Sequence, residues 1–146
     1  MKFWKFLRVG RDMFVTSQYS EKFQYMEVSM SSPKSIKTTD VWQKTHLFVN
    51  SVVSLSNNLP QSEIYGLKTR LQECATSVPT NIEDGLKQSK KIEKIRAFIK
   101  ANGFIEECKD YLSLVAKLKY GETSELLIMA DEISALLASN QYRGLN

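Results

Sequence analysis

Four stretches of this sequence repeat apolar residues at alternating steps of three and four, and that spacing constrains the fold more than any other feature. The first seam is Val41, Thr45, Phe48, Val52, Leu55 and Leu59. The second is Leu67, Leu71, Cys74, Val78 and Ile82. The third is Phe98, Ala101, Ile105, Cys108, Leu112 and Val115, and the fourth is Leu126, Ala130, Ile133 and Leu137. Steps of three and four return to one face of an α-helix and favour shallow, near-parallel helix packing. No run after residue 40 alternates as a strand would. The connections between seams are short, so the expected fold is all-α, an antiparallel up-down-up-down four-helix bundle.

Local signals set the expected helix ends. Thr38, Thr39 and Asp40 are capping types, so the first helix starts near Asp40 and stops at Asn57-Asn58, just before Pro60. A second helix is expected over roughly Glu63 to Leu86, with Pro79 inside it. The proline ring removes a backbone donor and crowds the carbonyl of Ala75, which predicts a kink or brief break. Ser77, Thr80 and Asn81 are placed to bond the freed groups, and Gly85 is expected to end or loosen the helix. The third helix is expected from Ser89 to Lys117, followed by a turn at Lys119-Tyr120-Gly121. The fourth runs from a cap at Thr123 to about Asn140. The expected organisation is an N-terminal extension over 1–37, the bundle over 38–141 and a frayed tail over 142–146.

Residues 1–37 do not share the pattern. They hold seven of the fifteen aromatics without a sustained helical period. Three readings stand open: a flexible extension, a segment ahead of a true start at Met30, and an arm that docks through Phe3, Trp4, Phe6 and Leu7 with Lys2, Lys5 and Arg8. The extension carries seven Lys/Arg against three acids, while the rest holds 13 of each, so the net charge of +4 belongs to the extension. No stretch is apolar for the roughly 18 residues a spanning helix needs, and the charged N-terminus does not read as a secretory signal. Cys74 and Cys108 fall on the seams and read as buried free thiols in a reducing, cytoplasmic setting.

Second apolar stripes accompany the seams: Trp42, Val49 and Val53 on the first helix, Ile92, Ile95 and Ile99 on the third, Met129 and Leu136 on the fourth. A lone bundle hides one face per helix, so exposed extra stripes predict a homo-oligomer with these residues at its interface. The strongest polar feature is Lys87, Lys90, Lys91 and Lys94, with Arg96 and Lys100 behind them and only Glu93 opposing. On one continuous helix the first four would span about 100° of arc, and they would lie near a helix start, where an anion gathers amides and lysines together. RNA or DNA is one partner for such a set. A solvated lysine-rich end, or pairing with Glu122, Glu125, Asp131 and Glu132 of a neighbouring copy, is the other reading.

No catalytic constellation is present in the sequence: there is no glycine-rich phosphate loop, no Ser/His/Asp set and no Cys-x-x-Cys pair. His46 has no partner at ligand spacing, and Glu106, Glu107 and Asp110 lack the Glu-x-x-His of a di-iron bundle, so neither metal nor cofactor is expected. Trp42 and Tyr65, at helix starts, read as anchors with their polar ends near the surface.

A set of ordered matches carries a family resemblance: Val41-Trp42-Gln43-Lys44 with His46, Leu59-Pro60, Glu63, Tyr65-Gly66-Leu67, Ser77-Val78-Pro79 with Asn81-Ile82, Gly85, Ser89, Phe98-Ile99, Ala101, Gly103, Glu107, and Leu118 with Tyr120. Over about residues 36–140 the chain resembles the small bacterial proteins encoded within intervening sequences of 23S ribosomal RNA genes, which are akin to the accessory proteins of diversity-generating retroelements. The resemblance implies a four-helix bundle that assembles as a pentamer and has no catalytic activity. For the retroelement relatives it also implies engagement of nucleic acid and of a reverse transcriptase. The chain departs from the family where a basic pair is common and Gln72-Glu73 stands here, where Ala-Glu is usual and Glu83-Asp84 stands, and at Lys94, where an acid is common.

Overall fold

A computed structural model of the chain describes residues 39–145, with side chains described through residue 140. The three readings of residues 1–37 lie outside the described residues. Four α-helices follow in order: α1 (Asp40–Asn57), α2 (Leu67–Lys87), α3 (Lys91–Lys117) and α4 (Ser124–Leu145). A single 3-10 turn, Gln61–Glu63, lies between α1 and α2, and no strand occurs among the described residues.

Each helix packs on its two neighbours around the bundle. Their directions follow from which residues meet. Gly85 near the end of α2 lies against Phe98 near the start of α3, while Cys74 meets Cys108 further along. Ser56 near the end of α1 bonds Gln72 near the start of α2. Lys44 of α1 pairs with Glu132 of α4, and Lys109 of α3 with Asp131 of α4. From Gly85–Phe98 to Cys74–Cys108, falling positions on α2 meet rising positions on α3, so these two run antiparallel, and the other contacts are compatible with the same arrangement. All four predicted seams line the core; Leu55 alone among them is only half-buried. Thr45, the one hydroxyl on a seam, is fully buried and donates to the Val41 carbonyl at 2.6 Å, which removes the cost of an unpaired polar group.

The helix ends show where local chemistry departs from the seam pattern. The second helix begins at Leu67 rather than Glu63, because Pro60 opens a 3-10 turn and the chain turns again through Gly66. Through Pro79, α2 continues without a break. Ser77 donates to the Glu73 carbonyl at 2.7 Å, Thr80 to that of Thr76 at 3.1 Å and Asn81 to that of Ser77 at 2.7 Å. All three back-bond the turns around the proline, but not the Ala75 carbonyl that its ring leaves free. Gly85 does not end the helix. A Cβ there would stand 2.7 Å from the Phe98 ring, so the missing side chain lets α3 approach closely.

At the end of α3, Lys119 takes a left-handed conformation with φ 58°. Its N–H reaches the Ala116 carbonyl at 3.0 Å, and the Tyr120 N–H reaches Val115 at 3.0 Å. This is a Schellman closure with lysine where glycine is usual. The Glu122 carboxylate, rather than the Thr123 hydroxyl, caps α4. It accepts the N–H groups of Thr123 at 3.1 Å and Ser124 at 2.9 Å, and the Ser124 hydroxyl as well. Those bonds hold the Glu122 carboxyl below the usual range. Tyr120 donates to Glu63 at 3.1 Å, tying the α3–α4 turn to the α1–α2 connection at one end of the bundle.

Candidate nucleic-acid interface

The opposite end of the bundle carries the lysines. Lys87 is the last residue of α2, Lys90 the extended N-cap of α3 and Lys91 its first helical residue. The single 100° arc expected for Lys87, Lys90, Lys91 and Lys94 therefore does not form. Gln88 and Lys90 both have extended backbone, which separates Lys87 and Lys90 from the periodicity of α3. The turn still gathers the cations. Lys94, Arg96 and Lys100 follow within the first ten residues of α3, about 15 Å of helix.

Two members are engaged within the chain: Lys87 pairs with Glu83 at 2.8 Å and Arg96 with Glu93 at 3.5 Å. Lys90, Lys91, Lys94 and Lys100 have no ion pair among the described residues, and all but half-buried Lys94 are exposed. The acids of α4 that a neighbouring copy would have to offer are largely in use. Glu132 holds Lys44 at 2.9 Å, Asp131 holds Lys109 at 2.8 Å, and Glu122 caps its own helix. The Asp131 bond raises the Lys109 pKa.

The expected interface stripes divide. Ile92 and Ile99 are 54% and 56% exposed, with Ile95 half-buried between them. This apolar strip on α3 runs between Lys91 and Lys94 on one flank and Arg96 and Lys100 on the other. Val49 and Val53 are instead enclosed, at 0% and 2% exposure, because the buried arc of α1 is wider than its seam. Met129 and Leu136 are half-buried and pack against the chain's own core. Trp42 is half-buried and tilts over His46, ring centroids 4.1 Å apart. Tyr65, expected as an anchor, is 95% exposed because it falls in the turn before α2 rather than in the helix. Sequence reasoning missed Ile128, Leu114 and Leu118, all exposed. Ile128 sits one residue from Met129, a difference of 100° that the apolar pattern of α4 alone does not resolve.

Gln72, one of the departures from the resemblance, is fully buried. It donates to the Ser56 hydroxyl at 2.5 Å, and Ser56 in turn donates to the Val53 carbonyl. Gln72 thus ties α1 to α2 and adds nothing to the surface. Arg70 lines a pocket of about 250 Å³ between α2 and α3, together with Glu73, Cys74, Ser77, Phe104 and Glu107. Among the described residues no group of three or more His, Cys, Asp or Glu stands in a metal-binding arrangement. No described helix is long and apolar enough to cross a membrane.

Among protein families, the one described as 23S rRNA-intervening sequence protein matches residues 37–139. No curated protein matches the chain significantly.

Proposed function

This chain belongs to the 23S rRNA-intervening sequence protein family, and from that premise we propose that it is a non-enzymatic, self-associating adaptor of the cytoplasm that binds RNA or DNA. One observation carries the reading: Lys90, Lys91, Lys94 and Lys100 have no ion pair among the described residues, and the last three flank the isoleucine strip of α3. Uncompensated cations gathered on one surface favour a polyanion, because each phosphate contact releases condensed counterions. The isoleucines give a base face or a second copy something apolar to cover. Their repetition in a ring, a pentamer by family resemblance, would present the lysines several times over. A reverse transcriptase is the enzyme partner that the same resemblance proposes.

The test is filter binding of single-stranded RNA and duplex DNA at about 50 and 200 mM salt. Steep loss with salt is expected for the native chain. The variant with Lys90, Lys91, Lys94 and Lys100 all changed to Ala should bind at least about tenfold more weakly and with a shallower slope. Equal binding by the variant would remove the patch. No binding by either protein would leave a scaffold that meets only proteins, the reading the exposed isoleucines favour on their own.

A further inference from the structure

The two cysteines do not rest as isolated core fillers. Cys74 of α2 and Cys108 of α3 place their sulfurs 2.7 Å apart, although 34 residues separate them in sequence. A bonded pair would be closer by only about 0.7 Å. The hydrogen-bond directions distinguish the two thiols. Cys74 donates its proton to the Leu71 carbonyl at 3.2 Å, so the Cys108 proton is the one that points at the Cys74 sulfur. That bond and burial push the Cys108 thiol far up, with smaller contributions from the charges of Cys74 and Glu107. Cys74 also lines the pocket between α2 and α3, beside Arg70, whereas Cys108 is fully enclosed behind it.

We propose that Cys74 and Cys108 are an oxidation site, a dithiol that a small hydroperoxide entering the Arg70 pocket converts to a disulfide locking α2 to α3. Cys74 lines the pocket, so it is the thiol that a peroxide meets first, and it reacts as the thiolate. It attacks one oxygen of hydrogen peroxide, the O–O bond breaks and hydroxide leaves, taking up the proton Cys74 gave to solvent. Cys74 is then a sulfenic acid. The Cys108 sulfur attacks the Cys74 sulfur, the S–O bond breaks, and water departs with the Cys108 proton. Two thiols and one peroxide become one disulfide and two waters. The closed loop raises stability by restricting the unfolded chain.

The full chain is treated with hydrogen peroxide without denaturant, quenched, alkylated after unfolding and weighed intact. The expected product is two hydrogens lighter, takes up no alkyl group and melts several degrees higher until a reductant reverses the shift. The Cys108→Ser variant should leave Cys74 as a sulfenic acid that reacts with dimedone at least about tenfold faster than Cys108 does in the Cys74→Ser variant. Retention of both free thiols by the native chain would overturn the proposal, as would a bond that forms only in urea or a disulfide between copies. Equal dimedone labelling in the two variants would overturn the assignment of Cys74 as the thiol that reacts first. If a serine variant fails to fold, the mass and melting of the native chain still decide whether the bond forms.

Discussion

His46 is stable in its place only while it stays neutral. It lies on the side of α1 beyond the seam, is 9% exposed, and its Nε2 has no hydrogen-bond partner. Burial lowers its pKa from 6.5 to about 4, and the charge of Glu83, itself paired with Lys87, opposes that only in part. As pH falls below 6.5 the unfolded chain takes up this proton and the native chain refuses it until about pH 4. Stability from the neutral ring is therefore complete above pH 6.5 and lost between 6.5 and about 4, a span worth about 3 kcal/mol. Urea denaturation at several pH values should show the native chain weakening through this window more than the His46→Gln variant. The carboxylates titrate in both proteins, so the difference isolates the histidine, and equal slopes would exclude it. The sequence showed a lone histidine with no metal partner but not its burial, because it falls off the seam that predicts burial. The signal was Trp42, four residues earlier on the same face, whose ring tilts over it.

At the scale of helices and turns, the seams were legible because a heptad repeat specifies which side of each helix is apolar, and the core of the bundle consists of those residues. Helix ends were legible only where one residue acts alone. α1 starts at Asp40 as expected, although Thr39 at its N-cap makes no side-chain cap bond, and α3 stops at Lys117. Where two signals compete, the sequence misplaced the boundary. Acidic Glu63 favoured a helix start, but Pro60 and Gly66 divert the chain through a 3-10 turn first. The same competition separates Lys87 from Lys91 at the candidate site: lysine favours helix at both positions, yet the link between α2 and α3 is extended. Lys119 shows a conflict left in place, a side chain held at φ 58° to close α3. A left-handed non-glycine residue costs about 1 to 2 kcal/mol, part of which glycine's greater freedom in the unfolded chain takes back. The Lys119→Gly variant should gain roughly 1 kcal/mol, seen as a higher thermal midpoint. A fall in the midpoint would mean that the exposed Lys119 side chain contributes more than its backbone costs.

For the whole molecule, the proposed self-association rests on where the exposed apolar groups lie. Ile92 and Ile99 sit at the lysine end of α3, and Leu114 and Leu118 follow on nearly the same side of that helix toward its other end, with Ile128 exposed on α4. Two copies joined by a two-fold axis would cover one such strip with its own image. A ring requires instead that the strip meet a different surface, since each subunit contacts its two neighbours through unlike patches. The ring is the proposed form, and the exposed groups it would cover lie on both α3 and α4. Light scattering on the native chain at micromolar concentration should report a multiple of the 16.7 kDa chain mass, with five copies expected. Changing Ile92 and Ile99 to Lys should return it to single copies without lowering its helix content. Each isoleucine is already about half-buried in the lone chain, so covering the remainder contributes roughly 1 kcal/mol apiece per contact. That is enough to disperse an assembly of moderate affinity, while the core seams stay untouched. A native chain that scatters as one copy would leave the isoleucines free for another partner, and the nucleic-acid patch would then act singly, with weaker binding and a shallower dependence on salt.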